Sequence, residues 1–213
     1  MRQVEDRLRA DYFDLLPSLQ RTLVALETEV NYLLLPLRLK LDEYARVLVR
    51  GRIKECESAV DSLRRRQEGA AFDSTQPSKY SLTALPDLVG IRVLTFPQSS
   101  FDHARPIIER RISDWTSDHI KSEDPSARPI ALKFHGLWNQ ADVFHSEIQI
   151  VSLLIGLFWE VEHSAVYKPA PRLRGVARSL DMQTRTAAVL ESLREFEQEF
   201  GRQIDNDFEL PSS

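Results

Sequence analysis

The segment FHSEIQI, residues 144–150, decides how this chain is read. As a β-strand it sends Phe144, Ile148 and Ile150 to one face and His145, Glu147 and Gln149 to the other. One face is built for a core. The other carries an imidazole, a carboxylate and a carboxamide. It is either a solvated outer face or the floor of a polar site, and the rest of the chain has to decide between them.

Two further segments bear on that choice. In VLVRGRIKE, residues 47–55, alternation places Arg50, Arg52 and Lys54 on one strand face and Val49, Gly51 and Ile53 on the other. Three cations in a row repel one another unless they are solvated or face an anion. Such a row protects an edge strand against aggregation, or it binds a polyphosphate, whose oxygens suit the guanidinium fork. Arg64, Arg65 and Arg66 follow on the next predicted helix and reach the row if that helix folds back. In LPDLVGIRVLTF, residues 85–96, Asp87 precedes an apolar strand, Gly90 permits close backbone approach, and Arg92 interrupts the apolar run and so needs a partner. Taken singly, Asp87 reads as a turn cap, Arg92 as half of a structural pair and Glu147 as a solvated carboxylate. Taken together they are two carboxylates on separate strands beside a cation row. That set suits Mg²⁺ and a polyphosphate, because Mg²⁺ takes one or two protein carboxylates and completes its shell with water and phosphate.

Hydrophobic periodicity organises the rest. Leu15, Leu19, Leu23, Leu26, Val30 and Leu33 recur at helical spacing and predict a helix over 3–34, kinked or split at Pro17 and ended by Pro36. A second helix is predicted over about 57–68, stopped by Gly69, followed by a loop at 70–81. Residues 99–113 read as helix, 116–129 as a polar loop, and 130–138 and 143–151 as strands. A helix over 152–165 turns Leu153, Leu157 and Val161 to the core, with Trp159 packing. A charged helix spans 184–204, and the tail from 205 is frayed. The order predicts an α/β (α+β) architecture, a mixed sheet flanked by helices with helical segments at both ends. The boundaries are an N-terminal arm at 1–40, a sheet domain at 41–170 and a C-terminal helix and tail at 171–213.

Composition narrows the function classes. The 213 residues are 42% hydrophobic, enough for a core, and 28% charged, with a net charge of −4, so any phosphate site must come from local clustering of cations rather than a bulk field. The single cysteine, Cys56, excludes an intramolecular disulfide and fits a reducing cytoplasm. The start of the chain lacks the apolar core of a signal peptide, and the most apolar run, VSLLIGLFW at 151–159, is too short to cross a bilayer.

Four blocks, in order and at compatible spacing over residues 47–168, resemble the synthetase domain of the RelA/SpoT family. GRIKECESA resembles its Arg-x-Lys-x-x-x-Ser block through Arg52, Lys54 and Ser58. LPDLVGIRVL resembles its Asp-x-x-Gly-Ile-Arg block through Asp87 and Arg92. SEIQI resembles its Glu-Ile-Gln-Ile block through Glu147. FWEVEHSAVYKP resembles its Trp…Glu-His…Tyr-Lys block through Trp159, Glu162, His163, Tyr167 and Lys168. The resemblance implies a nucleotidyltransferase-like fold in a small, single-domain member. It also implies Mg²⁺-dependent transfer of pyrophosphate from ATP to the ribose 3′-hydroxyl of GDP or GTP, or of another nucleotide or tRNA acceptor. Asp87 and Glu147 would be the catalytic and metal-holding pair. Arg50, Arg52, Lys54, Ser58, Arg64, Arg92, Lys133, His135, Gln149 and His163 are the nucleotide-binding candidates.

The family's Tyr-x-Ser-x-His block, whose tyrosine stacks on the acceptor base, has only ALKFH at 131–135 to match it: His135 is kept, Ala131 stands at the tyrosine and Lys133 at the serine. The basic residue after Glu-Ile-Gln-Ile is Val151. The ATP and metal half is therefore expected mostly present and the acceptor half altered, and the alternative is a catalytically degenerate module that binds a nucleotide or a protein. Partners consistent with the resemblance are ATP, the acceptor, a second copy of the chain, and an antitoxin or regulatory protein.

Overall fold

The computed structural model describes residues 2–120, 130–162 and 179–209. In chain order these form α1 (Arg2–Arg38), β1 (Arg46–Ile53), α2 (Cys56–Arg65), three short 3₁₀ turns, β2 (Val89–Phe96), α3 (Gln98–Arg111), β3 (Thr116–Ile120), β4 (Ala131–Gly136), β5 (Ser146–Ser152), α4 (Leu153–Glu162) and α5 (Leu180–Glu209). The five strands make one sheet in the order β1-β2-β5-β4-β3. This is the α+β architecture the sequence predicts.

The chain divides into two compact units. The first comprises Met1–Leu35, Val49–Val93 and Ile107–Gln149; the second comprises Pro36–Leu48, Leu94–Pro106 and Ile150–Ser213.

In the first unit, α1 buries Val4, Leu8, Leu19, Leu26 and Val30, all at 1% exposure or less. The buried stripe is narrower than the predicted one: Leu15, Leu23 and Leu33 are only half-buried, and Leu34 takes the core position. The helix is not split at Pro17 and does not end at Pro36 but runs on to Arg38. A proline inside a helix costs about 3 kcal/mol, and packing of this long apolar stripe offsets it. Gly51 explains how closely α1 lies on β1. A Cβ there would stand 2.6 Å from Leu23 Cδ1 and 3.1 Å from Glu27 Oε2, so the Gly51 face of β1 is the one covered by α1. The Arg50–Arg52–Lys54 face is then the opposite one, by strand alternation.

The end of β1 is pinned twice. The Lys54 backbone N–H donates to Leu88 O at 2.9 Å, and the Tyr12 hydroxyl donates to Lys54 O at 2.9 Å. Helix α2 buries Ala59, Val60 and Leu63 and stops at Arg65, several residues before Gly69. That glycine instead takes a left-handed φ of 65° in the next turn. The predicted loop at 116–129 begins with a strand: Thr116–Ile120 pairs antiparallel with β4, Thr116 opposite His135 and Asp118 opposite Lys133. Its polar sequence hides it, since an edge strand draws its hydrogen bonds from a neighbour and needs little apolar alternation. On β4, Leu132 and Phe134 are buried at 0% and 4%, which turns Ala131, Lys133 and His135 to the other face.

In the second unit, Leu94, Phe101, Ala104, Ile150, Val151 and Ile155 are buried. Phe96, Phe196 and Phe200 form an aromatic cluster with ring centroids 5.0–6.5 Å apart. Helix α4 departs from the predicted facing. Ile155 and Gly156 are its buried residues, Leu153 and Leu157 are half-buried, and Val161 is 63% exposed. Its N-terminus is capped by Ser152, whose Oγ accepts from the Ile155 N–H at 3.3 Å and donates to the buried Glu197 carboxylate of α5. Burial pushes the Glu197 carboxyl above its ordinary range, only partly countered by hydrogen bonds from Ser152 and the Leu154 backbone. Helix α5 continues through Glu209, so the tail is helical further than expected; residues 210–213 lie outside the described residues.

Candidate active site

Asp87 and Glu147 arrive from separate strands and converge on one guanidinium. Arg52 Nη2 lies 4.0 Å from Asp87 Oδ2 and 3.7 Å from Glu147 Oε1. Both carboxylates are sheltered, with side-chain exposures of 18% and 9%, while Arg52 is half in solvent. The Lys54 ammonium donates a short hydrogen bond to the same Asp87 Oδ2. On the far side of Glu147, Oε2 lies 3.9 Å from His135 Nε2. Lys54, Asp87, Arg52, Glu147 and His135 therefore form one connected constellation built from β1, the turn before β2, β5 and β4.

Local backbone rules account for each placement. The Lys54 N–H to Leu88 O bond sets the end of β1 against the start of β2, which brings the Lys54 side chain to Asp87. Gly90 provides the seat for Arg52. A Cβ at Gly90 would stand 3.3 Å from Arg52 Nε and 3.5 Å from its Cγ, so the arginine lies across strand β2 where only a hydrogen occupies the surface. Arg92 has the partner its burial demands: its Nε donates to Gln149 Oε1 at 3.1 Å. Gln149 is 5% exposed and Glu147 7%, so the polar face of β5 is enclosed and not a solvated exterior. His145, expected on that face, lies one residue before the strand and is exposed.

Electrostatics favour an ionised Asp87. Burial alone would raise the Asp87 carboxyl. The Lys54 hydrogen bond, with the charges of Lys54, Arg52 and Arg66, outweighs burial and holds it below the usual carboxylate range. Asp87 Oδ1 and His135 Nδ1 are buried and have no hydrogen-bond partner among the described residues. A buried, ionised carboxylate oxygen without a donor is an open coordination position. Carboxylate oxygens are the donors a small divalent cation takes, one or two from protein and the rest from water and phosphate, so Asp87 and Glu147 are the residues that would hold one. No group of three or more His, Cys, Asp or Glu side chains able to hold a metal occurs among the described residues.

The remaining candidates fall elsewhere. Arg50 is exposed on the same face of β1 as Arg52. Ser58 lies half-buried in the first turn of α2. Arg64 points to carboxylates of its own, bonding Asp61 and, at 3.4 Å, Glu5, so the structure does not bring it to Asp87. Arg66 is the member of that arginine run whose charge acts on Asp87, and its Nη1 donates to Ala84 O at 3.4 Å. Lys133 stands half-buried on the His135 face of β4. Trp159 is half-buried on α4. His163, Tyr167 and Lys168 lie outside the described residues. Tyr12, which anchors the Lys54 carbonyl, carries no local sequence signal, because its role exists only once α1 has packed on the sheet.

No protein-family model matches the chain, and no curated protein matches it. Solved structures do. Small alarmone synthetase 1 from Bacillus subtilis superposes with a TM-score of 0.66 at 17% identity, over 92% of this chain and 96% of that one. A GTP pyrophosphokinase family protein from Streptococcus pneumoniae gives 0.64 at 19% identity, over 92% and 93%. Small alarmone synthetase 2 from Bacillus subtilis gives 0.64 at 16% identity, over 92% and 99%. The first of these has also been solved bound to AMPCPP and bound to its product pppGpp. No helix among the described residues is long and apolar enough to cross a membrane. At these identities the likeness concerns architecture: this chain has the fold of the small alarmone synthetases.

Proposed function

We propose that this chain transfers the β,γ-pyrophosphate of ATP to the 3′-hydroxyl of a nucleotide acceptor, a guanosine nucleotide in the first instance, with Mg²⁺ as cofactor. The observation that carries the reading is the convergence of Asp87 and Glu147 on Arg52, with Lys54 and His135 completing the set. Its fold-mates support it, since one of them binds an ATP analogue and the product pppGpp.

In this reading the acceptor oxygen forms a bond to the β-phosphorus, the bond from that phosphorus to the α–β bridging oxygen breaks, and AMP leaves with that oxygen. Glu147 accepts the hydroxyl proton, and His135 beside its Oε2 orients the carboxylate. Arg52 swings from the two carboxylates to the phosphate chain, where its charge offsets what develops on the transferred group; its exposure leaves it free to do so. Lys54 keeps Asp87 ionised and aligned. Asp87 and Glu147 would hold the Mg²⁺, which supplies charge neutralisation of the polyphosphate when bound.

The test is purified protein with Mg²⁺ and γ-labelled ATP against GDP, GTP and tRNA, following label into a new product. Asp87→Ala and Glu147→Ala should each abolish it. A second reading, a module that binds without catalysis, is favoured by the Lys54–Asp87 pair, which already neutralises one carboxylate. Absence of product with every acceptor, while ATP still binds, would select it.

A further inference from the structure

We infer that Lys133 selects the acceptor, and does so through a phosphate of a nucleoside 5′-di- or triphosphate rather than through the base. The inference rests on the pyrophosphotransfer reading of the same site. Three observations carry it. First, the register of β4 is fixed by Leu132 and Phe134, which are buried on the opposite face at 0% and 4% exposure. Lys133 cannot turn away without burying a charge in that core. It shares its face with His135, two residues along, whose Nε2 lies 3.9 Å from Glu147 Oε2. Lys133 therefore stands one side-chain step from the group assigned to receive the acceptor's proton.

Second, Lys133 is half-buried and has no hydrogen bond or ion pair among the described residues. Asp118 stands opposite it in the β3–β4 register. A half-buried ammonium that donates no hydrogen bond is partly desolvated, so a phosphate oxygen arriving there gains a charge-assisted hydrogen bond at little reorganisation cost.

Third, the next residue on that face, Ala131, is fully buried at 0% exposure. An alanine closed to solvent offers an acceptor base neither an aromatic ring nor an exposed face, so position 131 does not distinguish a purine from a pyrimidine. Stacking on an aromatic ring is worth about 1–3 kcal/mol per base, and position 131 cannot supply it. The acceptor's charge is then what this end of the strand reads.

Equilibrium binding tests this independently of turnover. The full-length protein is loaded with Mg²⁺ and a non-hydrolysable ATP analogue, and GDP, ADP, CDP and guanosine are titrated by calorimetry. The three diphosphates should bind within about tenfold of one another, and guanosine at least about tenfold more weakly than GDP. Lys133→Ala should weaken all three diphosphates by about tenfold, leave guanosine and the ATP analogue unchanged, and be rescued by Lys133→Arg, with thermal melts confirming that each variant is folded. Selectivity of GDP over ADP above about a hundredfold, an unchanged GDP affinity in Lys133→Ala, or binding of an RNA 3′ end but of no free nucleotide would overturn it. Binding that follows the expected pattern without transfer of label would instead overturn the pyrophosphotransfer reading and leave Lys133 as a phosphate-binding residue only.

Discussion

The Lys54 ammonium donates to Asp87 Oδ2 while the Lys54 backbone N–H donates to Leu88 O. One residue thus fixes the position of Asp87 through both its backbone and its side chain. The side-chain bond couples a stability effect to a functional one, since the carboxylate it holds ionised is one of the two that would bind a cation.

Lys54→Met should therefore cost about 2–3 kcal/mol at pH 7, because it strands a sheltered carboxylate. The folded Asp87 titrates below its unfolded value, so its contribution is complete above about pH 4 and disappears as pH falls through the folded pKa. Urea melts of both proteins between pH 7 and pH 3 should show the gap narrowing only at the acid end.

Arg52 occupies the space between the two carboxylates. Removing its charge should make the pair a better cation site and a worse nucleotide site. In Arg52→Ala we expect Mn²⁺, used as a spectroscopic stand-in, to bind the protein alone about threefold or more tightly, and ATP to bind more weakly. A loss of Mn²⁺ affinity would mean that the two carboxylates do not share a cation.

Gly90→Ala and Gly51→Ala separate function from packing. A methyl at Gly90 meets the Arg52 side chain at 3.3 Å and should displace it. The expected result is a fall of about tenfold in transfer rate with a melting temperature within a few degrees of the parent. A methyl at Gly51 meets Leu23 at 2.6 Å and should instead destabilise by about 1–3 kcal/mol through overpacking of α1 on β1. Kinetics and thermal melts on the pair give opposite patterns.

Glu197 is the converse of Asp87. Its folded carboxyl is raised by burial, so the stability it offers is present below its unfolded pKa of about 4.3 and is lost as pH rises through the folded value. Glu197→Gln keeps an acceptor for Ser152 and removes that penalty. Its melting temperature should exceed the parent's at pH 7–8 by a few degrees and match it near pH 4. A lower melting temperature at pH 7 would show that the ionised form is the one the fold uses.

Much of the candidate site was legible because strands have a period of two. The alternation in VLVRGRIKE and SEIQI separates Arg50, Arg52 and Lys54 from Val49 and Ile53, and Glu147 and Gln149 from Ile148 and Ile150, by sequence alone. The need of Arg92 for a partner followed from its apolar neighbours, and Gln149 is that partner. Helix ends are less legible. Pro17 and Pro36 did not break α1, and α2 ended before Gly69, because packing energies of several kcal/mol outweigh local propensities of one to three. TSDHI carries no strand signal of its own because its hydrogen-bond partners lie in β4.

By itself the sequence determined which side chains share a strand face, that two acidic groups and a cation row exist, and that a mixed sheet with helices would carry them. These follow from local stereochemistry, which a few consecutive residues contain. Only the tertiary structure decided that Asp87 and Glu147 meet at Arg52, that Lys54 and not Arg64 reaches Asp87, and that Ser152 and Glu197 close the end of α4. Those contacts join residues tens of positions apart. They depend on strand order and on where a buried backbone N–H finds its acceptor, quantities that no short window of sequence holds.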